Sequence, residues 1–108
     1  MKSRPDAAAF GLSPEILQQL DAVFHAYARI TSVVLYGSRA KGTYHAGSDI
    51  DITIKGMHIT DSLVGKIEED IDELLLPYTF DISSWEQIDN PELLAHIERV
   101  GVVIYERE

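Results

Sequence analysis

Residues 49–54 alternate strictly as Asp49-Ile50-Asp51-Ile52-Thr53-Ile54. Successive side chains of an extended strand point to opposite faces of a sheet. Ile50, Ile52 and Ile54 therefore share one face, and Asp49 and Asp51 share the other. The isoleucine row demands an apolar layer against that side of the sheet. The acidic row demands the opposite: two like charges at this spacing repel, and near a core they are costly unless cations or donors offset them. Upstream, Ile30 to Tyr36 is an apolar run rich in β-branched residues and reads as a buried strand. Gly37-Ser38 breaks it, Ser38 to Lys41 has room for one helical turn before Gly42, and a polar loop leads to the acidic strand.

The remaining segments fit around this pair of strands. Ser13-Pro14-Glu15 combines an N-cap, a first-turn proline and a first-turn acid, predicting a helix to about Tyr27. Ile16, Leu17, Leu20, Val23, Phe24 and Tyr27 form its inward stripe. Thr60-Asp61 caps a second helix whose apolar face is Leu63, Val64, Ile67, Ile71, Leu74 and Leu75, with Pro77 as its stop. Its acids, Glu68, Glu69, Asp70, Asp72 and Glu73, read as a solvated outer face. Tyr78 to Ser83 is a third strand, with Phe80 and Ile82 on one side and Asp81 on the other. Asp89-Asn90-Pro91 starts a helix ended by Gly101, and Val102 to Tyr105 is a short strand suited to a sheet edge. Glu106-Arg107-Glu108 reads as a charged tail. Helices alternating with strands predict an α/β (α+β) fold, a small mixed sheet with helices mainly on one face.

If the third strand lies beside the second with both apolar rows on the same side, Asp81 joins Asp49 and Asp51, because neighbouring strands are only about 4.8 Å apart. Carboxylates supply the oxygen and charge that Mg²⁺ prefers. Gly37-Ser38 supplies the complement. A glycine turn at a helix start lets a phosphate approach backbone N–H groups, and Ser38 adds a hydroxyl. Arg39 and Lys41 are either solvated charges or aids in holding a triphosphate. The pattern differs from a P-loop, since no G-x-x-x-x-G-K-[ST] occurs. The four histidines lack ligand spacing, and only His45 falls near the candidate site. Trp85 reads as packing or a partner contact.

With 108 residues the chain is expected to form one domain over 1–108, with 1–11 loosely held. It has no cysteine, no apolar run long enough to span a bilayer and no signal-peptide pattern at its start, so a cytoplasmic location and no membrane are expected. Nine basic against eighteen acidic residues give a net charge of −9. Such a surface repels nucleic acid, which argues against polymerase or tRNA-modifying roles and favours a protein or a cationic small molecule as partner.

Gly37-Ser38, ten further residues, then Asp49-Ile50-Asp51, with the fuller strings Gly37 to Gly42 and Ser48 to Asp51, resembles the signature of the DNA polymerase β-like nucleotidyltransferases. The chain looks like their small members, the minimal nucleotidyltransferases (MNT). The resemblance implies a Mg²⁺-dependent transfer of a nucleoside monophosphate from a triphosphate, with ATP as donor and two Mg²⁺ ions. Asp49, Asp51 and Asp81 would be metal ligands and catalytic residues, with Asp81 a ligand and possible general base. Gly37 and Ser38, with Arg39, Lys41 and Ser48 around them, would hold the nucleotide, Ser48 as a turn or orienting residue. It further implies a helical partner from an adjacent gene, HEPN-type or "substrate-binding", and an antitoxin role in which AMP goes to a partner tyrosine. The alternatives are a small-molecule transferase of the aminoglycoside-nucleotidyltransferase type, completed by a partner, and a non-catalytic module that neutralises its partner by contact.

Overall fold

The computed structural model describes residues 11–43, 45, 47 and 49–107. Helix α1 (Pro14–His25) starts as its sequence demands: the Ser13 hydroxyl accepts a hydrogen bond from the Ile16 amide at 3.2 Å, with Pro14 in the first turn. Strand β1 (Ile30–Tyr36) follows, then the single turn of α2 (Gly37–Lys41) and β2 (Ile50–Gly56). Helix α3 (Asp61–Asp72) is capped by Thr60, whose hydroxyl accepts from the Leu63 amide at 3.2 Å. Strand β3 (Phe80–Ser84) runs into a 3₁₀ turn (Trp85–Gln87), and α4 (Pro91–Val100), capped by Asn90, leads to β4 (Val102–Glu106).

Among the described residues the strands form one mixed sheet in the order β3-β2-β1-β4. β1 pairs antiparallel with β2 and β4, and β2 pairs parallel with β3 through the α3 crossover. Helices α1 and α3 cover one face. There Leu17, Leu20, Phe24, Ile67 and Ile71 pack on Val33, Leu35, the fully buried Ile50-Ile52-Ile54 row and Ile82. Each such side chain contributes about 1.5–3 kcal/mol relative to exposure. Helix α4 takes the opposite face, where Leu93, Ile97 and Val100 pack on Val34, Tyr36 and Val103. No helix among the described residues is long and apolar enough to cross a membrane.

Two local expectations fail. The second helix ends at Asp72, not near Pro77. Leu75, read as part of its apolar face, adopts φ 56° and is 88 % exposed. The apolar period continues past the helix in sequence while the backbone turns out of it. The strand after it accordingly starts at Phe80 rather than Tyr78.

The second failure is the charged tail. Arg107 is docked: its Nε donates to the Ile30 carbonyl at 2.9 Å, and one guanidinium nitrogen donates to the carbonyls of His25 at 3.0 Å and Tyr27 at 2.9 Å. A cation here satisfies the His25 carbonyl at the end of α1, ties it to the loop and the start of β1, and complements the helix dipole. Arg107→Ala is therefore expected to lower unfolding stability by roughly 1.5–3 kcal/mol, the range for hydrogen bonds to a charged group. Urea denaturation checks this, and an unchanged midpoint would rule the clamp out.

Candidate active site

The site forms where β1 ends and β2 and β3 begin. Tyr36, the last residue of β1, lies opposite Asp51, and Asp51 lies opposite Asp81 of β3. Directly paired residues share a sheet face, so the isoleucine row buried beneath α1 and α3 turns both carboxylates to the other side. Asp49, two residues before Asp51, is exposed, as is Asp81, while Asp51 is half-buried.

Gly37 begins α2 immediately after Tyr36 with φ +77°. A Cβ built there would stand 2.3 Å from Asp51 Oδ2. The position requires glycine twice over, for its backbone angle and for the carboxylate pressed against it. Gly42, at φ +80°, closes the turn, with its amide and that of Thr43 donating to the Arg39 and Ser38 carbonyls. Ser38 is half-buried within this turn and Lys41 is exposed at its end. Arg39 is not a solvated charge. It is 2 % exposed, with its guanidinium 5.0 Å from the centre of the Tyr78 ring, joining α2 to the segment that enters β3. Ser48 and the first ten residues lie outside the described residues.

Burial raises the Asp51 pKa above the usual carboxylate range, and the neighbouring Asp81 and Asp49 charges raise it further, while His96 pulls it down. Tyr36 is likewise raised, first by burial and then by the Asp81 and Asp51 charges. Ser83, on the same face, acts the other way, although its Oγ completes no hydrogen bond. Asp51 is thus held where its charge is disfavoured, against a glycine that leaves room for its carboxylate. Among the described residues no three acidic or histidine side chains are gathered closely enough to form a ready three-ligand metal site. The donor set is nonetheless all oxygen with excess negative charge, which fits a hard divalent cation.

His96 is the residue the sequence reading missed. Its spacing in the sequence matches no ligand motif, yet α4 carries it onto the site face, edge-on to Tyr36 with ring centroids 6.3 Å apart. The signal was present: Leu93, His96, Ile97 and Val100 follow one inward helical stripe. Trp85 is a packing residue against the Val34–Tyr36–Ile97 cluster, with the Lys55 ammonium 4.4 Å from its ring centre.

Comparison with known proteins places this geometry. The family model described as polymerase beta, nucleotidyltransferase matches residues 18–108. No curated protein sequence matches. Among solved structures, a toxin–antitoxin complex with AMP-PNP superposes with a TM-score of 0.70 at 16% identity, covering 85% of this chain and 74% of that one. The MNT antitoxin complex with tri-AMPylated HEPN toxin from Shewanella oneidensis gives 0.65 at 12% identity, covering 86% and 71%. A MntA–HepT toxin–antitoxin structure gives 0.66 at 11% identity, covering 88% and 74%. At these identities the likeness is one of fold. The match over residues 18–108 takes in α1 from Gln18, every strand, the Gly37 turn and all three acids, and by it the chain belongs to the polymerase β nucleotidyltransferase family.

Proposed function

We propose that this chain transfers AMP from ATP to a hydroxyl group, the acceptor being a tyrosine of a helical HEPN-type partner. The observation that carries the reading is the pairing of Asp51 with Asp81 on one sheet face, with Gly37 closed against Asp51. A site of this kind suits a phosphate chain brought in over the Gly37 turn, flanked by oxygen ligands. The solved relatives support the choice of donor and partner: one is described with AMP-PNP, and another pairs an MNT antitoxin with an AMPylated HEPN toxin.

In this reading Gly37 lets the triphosphate approach the backbone, and the Ser38 hydroxyl donates to it. Lys41, exposed at the end of the turn, adds a cation. Arg39, covered by Tyr78, holds the turn in place from behind. Asp49 and Asp51, with Asp81, would hold two Mg²⁺ ions. When bound, these supply charge neutralisation of the phosphates and a lowered pKa for the acceptor hydroxyl. Asp81, exposed at the edge, is the carboxylate that accepts the acceptor's proton. The hydroxyl then attacks the α-phosphorus, forming the new P–O bond as the bond to pyrophosphate breaks. The protein's work is positioning and charge stabilisation.

The test is transfer of label from [α-³²P]ATP, with Mg²⁺, to the helical protein encoded by the adjacent gene, co-purified with this chain. Label should appear on the partner and vanish in the Asp49→Asn/Asp51→Asn variant. A stable complex that binds ATP without labelling either protein would overturn the reading in favour of a small-molecule acceptor or inhibition by contact.

A further inference from the structure

Strand β3 ends the sheet, and its outer edge has no strand beside it among the described residues. Such an edge offers backbone donors and acceptors to an incoming strand. Next to it, between β3 and α3, runs a groove of about 470 Å³. Its apolar wall is Ile71, Phe80 and Ile82, and its rim is Glu68, Glu69 and Asp72, all three exposed. Gly65 lies along the same groove, and a Cβ added there would meet nothing within 4 Å. Beyond the groove, in the turn that follows Asp72, Leu75 is held out into solvent at φ 56°, a conformation that a leucine adopts only at a cost.

We propose that this groove and the β3 edge together take an extended, basic segment of a partner protein, which pairs with β3 as a fifth strand. The edge supplies main-chain hydrogen bonds, the groove receives apolar side chains and the glutamate rim pairs with lysine or arginine, the usual division of labour in strand addition. Charge complementarity selects the occupant. From Asp61 to Glu73 the chain carries six acids, Asp61, Glu68, Glu69, Asp70, Asp72 and Glu73, against the single base Lys66. A second copy would bring its own net charge of −9 to the same rim, so self-association through this edge is opposed. Because side chains alternate, a strand added here directs every second residue to the face that carries Asp81. This is a claim about binding and holds whether or not the chain transfers AMP.

The test follows the backbone amide signals of the ¹⁵N-labelled full chain during titration with a short synthetic peptide of alternating lysine and valine. Saturable shifts are expected at Phe80 to Ser84 and at Leu75. The same peptide N-methylated at alternate residues loses its strand-pairing donors and should bind roughly tenfold more weakly, the loss of one to two net hydrogen bonds. A glutamate–valine peptide should not bind. Gly65→Arg fills the groove and pairs with Glu68 and Glu69 from within the helix. It should fold at least as well, since glycine is unfavourable mid-helix, and should weaken the basic peptide as Glu68→Lys/Glu69→Lys does. Equal binding of the N-methylated or the acidic peptide, shifts centred away from β3, or a dimer in sedimentation that Gly65→Arg dissolves would each overturn the proposal.

Discussion

Replacing Asp51 with asparagine is expected to give a protein that folds more stably and has lost most of its nucleotide transfer. Both effects come from one cause. Burial, together with Asp81 and Asp49, raises the Asp51 pKa in the folded state. The ionised form is therefore disfavoured by folding, and the native state holds the proton more tightly than the unfolded one. Metal-free stability should consequently decrease as pH rises through the folded-state pKa, and the penalty should be relieved as pH falls below it. Asparagine keeps the shape and removes the charge. Functional-site charges of this kind commonly withhold about 1 kcal/mol, and for a domain of this size that moves the melting temperature by about 4–8 °C. Differential scanning of the two proteins without metal, from neutral pH downward, should show the gap narrowing with acid. Transfer should fall by roughly 10²–10³ or more, the scale for removing one preorganised electrostatic contact. A variant that turns over normally with Mg²⁺ would remove Asp51 from the site. One that is less stable than the parent at neutral pH would show that its charge is already compensated.

The second large effect belongs to Gly37→Ala. The added methyl would stand 2.3 Å from Asp51 Oδ2, and the backbone at φ +77° is itself unfavourable for alanine. The left-handed angle alone costs about 1–2 kcal/mol, and the displaced carboxylate adds to it. Loss of both stability and nucleotide affinity is expected. The double variant Gly37→Ala/Asp51→Ala separates the causes. Removing the carboxylate leaves space for the methyl, so the double variant should be more stable than the sum of the two single effects by about 0.5–3 kcal/mol, the range for residues in contact. Strict additivity would mean that the turn and the carboxylate do not touch. Isothermal titration with Mg²⁺–ATP reads the affinity side of the same cycle.

Much of this site was legible before any coordinates, because its determinants are local. The Asp–Ile alternation fixes which side chains turn away from the core, and that inference needs only the period of a strand. Asp81 was reachable for the same reason: Phe80 and Ile82 must be buried, so Asp81 must face outward, and a parallel neighbour in register brings it opposite Asp51. What was not legible depended on distant parts of the chain. His96 reaches Tyr36 because α4 crosses the far face of the sheet, and its own helix reveals only that it lies on an inward stripe. Arg39 sits among charges and small residues that suggest a solvated turn. Its burial under Tyr78 comes from the packing of the segment before β3. Leu75 continues the apolar spacing of α3 and misleads because a backbone reversal, not a polar residue, ends the helix. Arg107 looked like one charge in a tail, since its partners are the carbonyls of residues 25, 27 and 30.

The strand order also has a kinetic meaning. β1 and β2 are joined by residues 37–49, a short connection that contains the Gly37 turn. β4 meets β1 only across the whole intervening chain. Closing the longer loop costs more entropy, so the β1–β2 pair is the natural nucleus and β4 a late arrival. The Gly37 turn is thus built into the earliest structure, while Arg107 fastens the latest. Weakening that clamp should leave the folding rate nearly unchanged and appear almost wholly as faster unfolding, so the lifetime of the native state is set at the end of the molecule farthest in sequence from its first-formed contacts.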